Sequence, residues 1–271
     1  MFGMLIPGEP TSAINLTITI DKDTAKSLNS GREVLEDILI LRLENGRDYY
    51  LTIRASYARS CFGMSMEELV LYSQPIRTIP IDPIERAKQL ESSSSAAQPT
   101  TALCIPKELW RVVDAVFAKG IGAPKLFIEA GNANEIASIR ECLDTGNPFT
   151  PCTVHSYTDV LVSFLSSLSS PVVPSVFFPS VEIDSQNIQM SGRRLLEELP
   201  PIHYNVFVYI ISFFREILQH REENQLSAAK LARIACASMA PAHDLDHSNS
   251  SLQKRTGMQL IVLHLLETVS I

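Results

Sequence analysis

The sequence predicts a multi-domain chain: a β-rich segment over residues 1–76, then an all-helical domain over 104–271. Three observations carry that reading. Apolar residues recur at every second position near the N-terminus and at every third or fourth position from Ile105 onward. A polar low-complexity run separates the two halves. In 271 residues, 45% hydrophobic content is enough to build real cores.

INLTITI (14–20) alternates, with Ile14, Leu16, Ile18 and Ile20 on one face and Asn15, Thr17 and Thr19 on the other, which predicts a half-buried strand. DKDTAKSLNSG (21–31) predicts a short surface helix that stops at Gly31. DILILRL (37–43) is apolar on both faces and is expected mid-sheet. Asn45-Gly46 supplies a tight turn, and YYLTIRASY (49–57) returns beside it. Residues 77–103 read as a linker, with a short helix at PIERAKQLE and then SSSSAAQPTT, which has too little apolar surface to offset chain entropy.

From Pro106, which suits a first helical position, Leu109, Trp110, Val113, Val116 and Phe117 form an apolar stripe ending at Lys119-Gly120. SYTDVLVSFLSSL opens with Ser156-x-x-Asp159, a loose capping box, and places Val160, Leu161, Phe164, Leu165 and Leu168 on its buried side. Residues 203–219 are apolar almost all round and predict the centre of a bundle, flanked by helices near 226–239 and 254–268. LFIEAGN (126–132) interrupts this half as an apolar loop whose only charge is Glu129.

Composition excludes several classes. The net charge of −7 carries no basic patch for nucleic acid or anionic lipid. Five cysteines, odd in number and without a CxxC pair, fit reduced thiols in the cytosol, so the sequons at Asn15 and Asn249 are read as accidental. MFGMLIPGEP lacks the basic start of a cleavable signal, and VFVYIISFF (206–214) is far short of a bilayer span. No phosphate loop, Rossmann turn, GxSxG or HExxH occurs, so no cofactor is expected. HDLDH (243–247) has a metal-like composition, but four ligands within five residues cannot converge on one tetrahedron, and a solvated loop is expected.

Two stretches resemble a known family. KSLNSGREVLEDILILRLENGRDYYLTIRASYARSCFG (26–63) is similar to the C-terminal part of the ASH domain in the OCRL-like, type II inositol polyphosphate 5-phosphatases. IPKELWRVVDAVF with IRECLDTG (139–146) resembles the RhoGAP-like domain that follows it there. The resemblance implies a truncated immunoglobulin-like β-sandwich, its earlier strands expected ahead of Met1, joined to an all-helical RhoGAP-like domain. None of the family's phosphatase sequence lies among these residues.

The resemblance also marks positions. RhoGAPs carry an arginine finger in a loop G-[LIF]-[FY]-R-x-x-G, and aligning Phe127 and Gly131 puts Ile128 at the arginine. Such a finger contributes roughly 10³ to 10⁵ in rate, or about 4–7 kcal/mol, and an alkyl chain supplies none of it. The family's supporting lysine falls at Val162, its second arginine at Ser166 and its asparagine near Lys230. The implied molecule is a non-catalytic adaptor on endosomal and Golgi membranes, reached indirectly through partners. Rab-type GTPases would contact the last ASH strand and Ser60, Cys61, Phe62 and Gly63, with Phe62 either an exposed anchor or a plug at the sandwich end. Endocytic adaptor peptides carrying Phe and His would use a groove that Trp110 lines, unless Trp110 is core. Rac- or Cdc42-like GTPases would be bound without hydrolysis. The rival reading is the targeting end of an active 5-phosphatase.

Overall fold

The computed structural model describes residues 16–43, 46–93, 104–240 and 249–268. Helix α1, Lys22–Ser30, begins where the Asp21 carboxylate accepts the Thr24 N–H at 2.8 Å. It ends at Gly31, whose φ of +74° is the left-handed cap the sequence predicts and whose N–H donates to the Leu28 carbonyl. Strands β1, Leu35–Leu41, and β2, Tyr49–Ala55, pair antiparallel with Ile38 opposite Thr52. The strand expected over 14–20 is corrected for its described part: residues 16–20 form no strand among the described residues, and Leu16, Ile18 and Ile20 are exposed. An alternating pattern becomes a strand only where a neighbour offers donors and acceptors, and none is aligned with it among the described residues. For the same reason DILILRL is not mid-sheet among the described residues. It lies in a two-stranded sheet with Ile38 and Ile40 exposed. The Asn45 half of the turn, most of SSSSAAQPTT and all of HDLDH lie outside the described residues.

After β2 the chain joins the helical half. Ser65 and Glu68 form a complete capping box for α2, Met66–Leu71. A 3₁₀ turn, Ile76–Thr78, packs on a later helix, and α3, Pro83–Ser93, supplies the helix expected at PIERAKQLE. Cys61, Phe62, Met64, Leu69, Ile76 and Ile79 are all buried in one core with the helical domain. The boundary expected at 76/77 therefore falls inside a segment packed on the helices.

The helical domain comprises α4, Lys107–Gly120; α5, Ala133–Thr145; α6, Val154–Ser167; α7, Ile188–Glu198; α8, Pro201–Gln219; α9, Arg221–Asn224; α10, Ala228–Met239; and α11, Asn249–Thr268. Helix α6 packs against α4, α5 and α10, while α11 lies against α7, α8 and α10. Helix α8 starts with Pro201 in its first turn and buries Val206, Phe207, Ile210, Ile211, Phe214 and Ile217, as its all-round apolarity predicts. The capping box at Ser156 is corrected: α6 starts three residues earlier, at Val154 with Thr153 as its N-cap. Ser156 and Asp159 sit inside the helix, and both side chains reach out to the LFIEAGN loop.

Candidate functional site

The loop between α4 and α5 is built by its backbone first. Lys125 and Phe127 both adopt left-handed angles, φ +55° and +61°. The carbonyl of Lys125 accepts the N–H groups of Ile128 (2.9 Å) and Glu129 (3.0 Å), closing a tight turn. A left-handed phenylalanine costs about 1–2 kcal/mol. Packing offsets it: the Phe127 ring meets Phe214 edge-on at 5.5 Å and Phe213 at 6.5 Å, and Leu126 beside it is fully buried. The tight turn thus belongs to Lys125 and Phe127. Gly131 serves another purpose, since a Cβ there would stand 2.5 Å from Ser156 Cα. Its absence lets the loop lie directly on α6.

That contact is a hydrogen-bonded clamp. Gly131 N–H donates to Asp159 Oδ2 at 2.8 Å, and Asn132 N–H donates to Ser156 Oγ at 3.0 Å. Ser156 Oγ in turn donates to Glu135 Oε2 at 2.6 Å, and the same oxygen accepts from Thr153 N–H (2.9 Å) and Thr153 Oγ (2.7 Å). These bonds, the Ser156 hydroxyl foremost, hold the Glu135 carboxyl below its ordinary range. Asn132 caps α5 by accepting the N–H groups of Asn134 and Glu135. The other end of the loop is tied through Lys125 N–H to the carbonyl of Asn224 at 3.2 Å. Asn224 is itself buried, with its side chain bonded to Ile217 O, Ile121 O and Leu226 N–H.

At the crest of this frame stands Ile128, 51% exposed. Val162 and Ser166 follow Asp159 at helical spacing, so they share the α6 face that holds the loop. Ser166 Oγ donates to the Val162 carbonyl at 2.8 Å, so that hydroxyl is spent on its own helix. Lys230 lies exposed on α10, which packs on α6, and its N–H donates to Ser227 Oγ at the helix start. The four positions are thus distributed over one loop and two adjoining helices. None of the three on the loop and α6 carries a charge. Among the described residues there is no cluster able to hold a metal ion, and no helix is long and apolar enough to cross a membrane.

The second predicted site sits elsewhere. Phe62 is 4% exposed, its ring edge-on to Phe164 at 5.5 Å with the Arg140 guanidinium 3.9 Å from its centroid. It is neither a surface anchor nor a sandwich plug. It plugs the helical core, because the chain turns inward after β2. Asp144 of α5 fastens the turn by accepting from Cys61 N–H (2.8 Å), Ser60 Oγ (3.2 Å) and Arg77 (3.4 Å). Gly63 follows at φ +86° against Ala25 of α1. Burial, reinforced by Asp144 and Glu108, pushes the Cys61 thiol well up, which keeps it neutral. Trp110, by contrast, is 55% exposed, and Phe117, two turns on, is 44% exposed on the same face of α4. The stripe expected to bury them is rotated toward Leu109, Val112, Val113 and Val116. Asp114 lies between the two aromatics, and burial together with its charge pushes the nearby Tyr209 hydroxyl up to about 12.

Residues 106–244, more than half the chain and the whole of the clamped loop, match the RhoGAP domain. The chain belongs to the RhoGAP domain family. Ahead of the RhoGAP domain, residues 1–57 match the ASH domain of inositol polyphosphate 5-phosphatase OCRL-like proteins. A mouse type II inositol 1,4,5-trisphosphate 5-phosphatase is 34% identical over 235 residues, covering 86% of this chain and 24% of that protein. Mouse Rho GTPase-activating protein 24 is 27% identical over 139 residues, 48% of this chain and 19% of its own length. The chain thus spans about a quarter or less of these relatives. In three dimensions it is similar to human Rho GTPase activating protein 15, with a TM-score of 0.57 at 16% identity over 79% of this chain and 96% of that one. This last likeness concerns the RhoGAP fold alone.

Several residues that matter to the RhoGAP domain are missing from the candidates named from sequence. Asn132 and Glu135 form a legible cap signature, and Ser65-x-x-Glu68 is a full capping box. Asp159 as a loop holder, and Asn224 beneath the loop, left no signal outside the fold.

Proposed function

We propose that this chain is a non-catalytic binding module of an OCRL-like 5-phosphatase, acting in membrane trafficking and signal transduction through small GTPases and adaptor peptides. The observation that carries the reading is Ile128, exposed at the crest of an intact, clamped loop where the resemblance places an arginine finger. An alkyl side chain cannot neutralise charge developing on a transferred phosphoryl group. Val162 and Ser166 likewise supply no cation on the adjoining helix face. The frame persists and the reagent is missing, which favours binding over catalysis.

Two surfaces support the binding half. Trp110 and Phe117 form an exposed aromatic pair on α4 with Asp114 between them, a suitable seat for a short helical peptide whose Phe fills the apolar stripe and whose His meets the carboxylate. Strand β2 offers exposed Tyr50, and an edge unpaired among the described residues, to a Rab-type GTPase; Phe62 contributes from beneath by fixing where the strand ends. Rac- or Cdc42-like GTPases are bound at the Ile128 face without hydrolysis. Membrane association is indirect, at early endosome and Golgi membranes.

The test is capture on GTP-loaded and GDP-loaded Rab and Rho proteins together with an adaptor-peptide titration. Nucleotide-dependent capture, and peptide affinity lost in Trp110→Ala, are the expected results. Capture of no GTPase and unchanged peptide affinity would overturn the reading. The second reading, the targeting end of an active phosphoinositide 5-phosphatase, is favoured by the mouse type II phosphatase relative. It is decided by the sequence of the natural transcript upstream of Met1.

A further inference from the structure

Between α5 and α6 runs a loop, Asn147-Pro148-Phe149-Thr150-Pro151-Cys152, with no helix or strand of its own. Its two prolines set its shape. A residue that precedes proline is driven out of the helical region, so Asn147 and Thr150 are both held extended, and neither Pro148 nor Pro151 has an N–H to bond. Phe149 anchors the loop: its ring meets Tyr157 edge-on at 5.3 Å, and the Arg111 guanidinium lies 4.6 Å from its centroid. Pro148, Thr150 and Pro151 are exposed on either side of that anchor. An exposed threonine thus stands on a pre-extended segment, with proline two positions before it and proline directly after it. Ser170-Pro171 is the one other Ser/Thr-Pro step in the chain, and there Leu168 takes the place of the earlier proline.

We propose that Thr150 is a phosphorylation site for a proline-directed serine/threonine kinase, and that its phosphate loosens the clamp on the loop 126–132. Proline after the acceptor brings no N–H to be left unpaired in an apolar pocket of the kinase. In the transfer, Thr150 Oγ attacks the γ-phosphorus of ATP, an Oγ–P bond forms and the bond to the bridging oxygen breaks. ADP leaves, and the hydroxyl proton passes to the kinase's catalytic aspartate. The consequence follows from charge. Thr150 Oγ lies 3.1 Å from Ser138 Oγ, and Ser138 stands one turn beyond Glu135 on the same face of α5. Glu135 is the carboxylate that gathers Thr153 and Ser156 at the foot of the clamp. A phosphate adds a charge of about −1.5 to −2 at neutral pH. Residues 126–168 contain one arginine and no lysine to receive it, and that arginine, Arg140, lies over the Phe62 ring. Arg111 is committed to the carbonyls of Cys142 and Asn147. The phosphate therefore repels the Glu135 carboxylate instead of ordering the loop. Ser156 then loses the acceptor that orients its hydroxyl, and Asn132 N–H loses a fixed partner.

The experiment is phosphorylation of the intact, folded chain with ATP and a purified mitogen-activated protein kinase, the site mapped by mass spectrometry and the loop followed by hydrogen exchange. No GTPase is present, so the outcome is independent of the function proposed above. Phosphate on Thr150 is expected, absent in Thr150→Ala and incorporated at least about tenfold more slowly in Pro151→Ala, which restores an N–H after the acceptor. The Gly131 and Asn132 amides of the phosphorylated chain are expected to exchange at least about tenfold faster, while the amides of α8 keep their protection. Circular dichroism verifies that both variants keep the helical domain. A folded chain that takes no phosphate at Thr150, phosphate mapped to Ser170 instead, or Gly131 and Asn132 amides unmoved by a phosphate on Thr150 would each overturn the proposal.

Discussion

Strands β1 and β2 and the segment 57–80 follow one another in sequence, yet they meet opposite fates. The hairpin shows large apolar residues to solvent on both faces, whereas Cys61, Phe62, Met64 and Ile79 are buried with the RhoGAP helices. The difference teaches that a hydrophobic pattern states a need for cover and does not name what will provide it. For the hairpin, the described residues offer no second sheet. For the following segment, Asp144 and the Phe62–Phe164 contact draw the chain into the neighbouring domain.

The largest effect that would break this contrast is expected at Phe62. Phe62→Ala should lower stability by about 3–5 kcal/mol, because it removes a packed ring from the core of the helical domain. Tyr50→Ser on the hairpin should stay within about 0.5 kcal/mol. Equal losses in denaturant titrations would erase the distinction. Asp144→Ala is expected next, at about 3 kcal/mol, since it leaves the buried Cys61 N–H without its acceptor and takes from Arg77 one of two carboxylates, the other being Glu141. Gly131→Ala should cost about 1–3 kcal/mol through the clash with the α6 backbone, and the loop amides should lose hydrogen-exchange protection before the core does.

A smaller effect depends on pH. Glu135 is a half-buried acid whose folded-state pKa lies below its ordinary value near 4.5. The stabilisation it contributes is therefore complete above that value and is lost as the pH falls through the folded-state pKa. The melting temperature of Glu135→Gln should fall below that of the wild type at neutral pH and converge with it in acid. A gap that widened in acid would contradict the sign. The smallest effect on stability belongs to Trp110→Ala, within about 0.5 kcal/mol, because the ring is more than half exposed.

Much of this was legible in the sequence for reasons that can be named. Gly31 marked the end of α1, period-two residues marked the hairpin, and the all-apolar run marked α8 as central, because local conformational rules and burial agree there. The first strand failed because alternation at 14–20 carries no information about a partner. Trp110 and Phe117 failed as core because a helical stripe fixes spacing but leaves its rotation to the neighbours, here α6 and Phe213 of α8. The loop at 126–132 was visible as a break, and its left-handed Phe127 and its clamp to Asp159 were not. Both depend on contacts to residues about 28 or more positions away. Ser156-x-x-Asp159 reads as a helix cap because the motif is local, while its actual use, gripping the loop, is not.

The loop frame is intact and carries isoleucine at its crest, which leaves GTP hydrolysis without a cation from this loop. Single-turnover GTP hydrolysis by Rho-family GTPases, measured with and without the purified chain in excess, tests it most directly. Unchanged hydrolysis rates are predicted, alongside GTPase binding in the same samples. A clear acceleration would contradict the account, because it would require a catalytic group other than the residue at position 128.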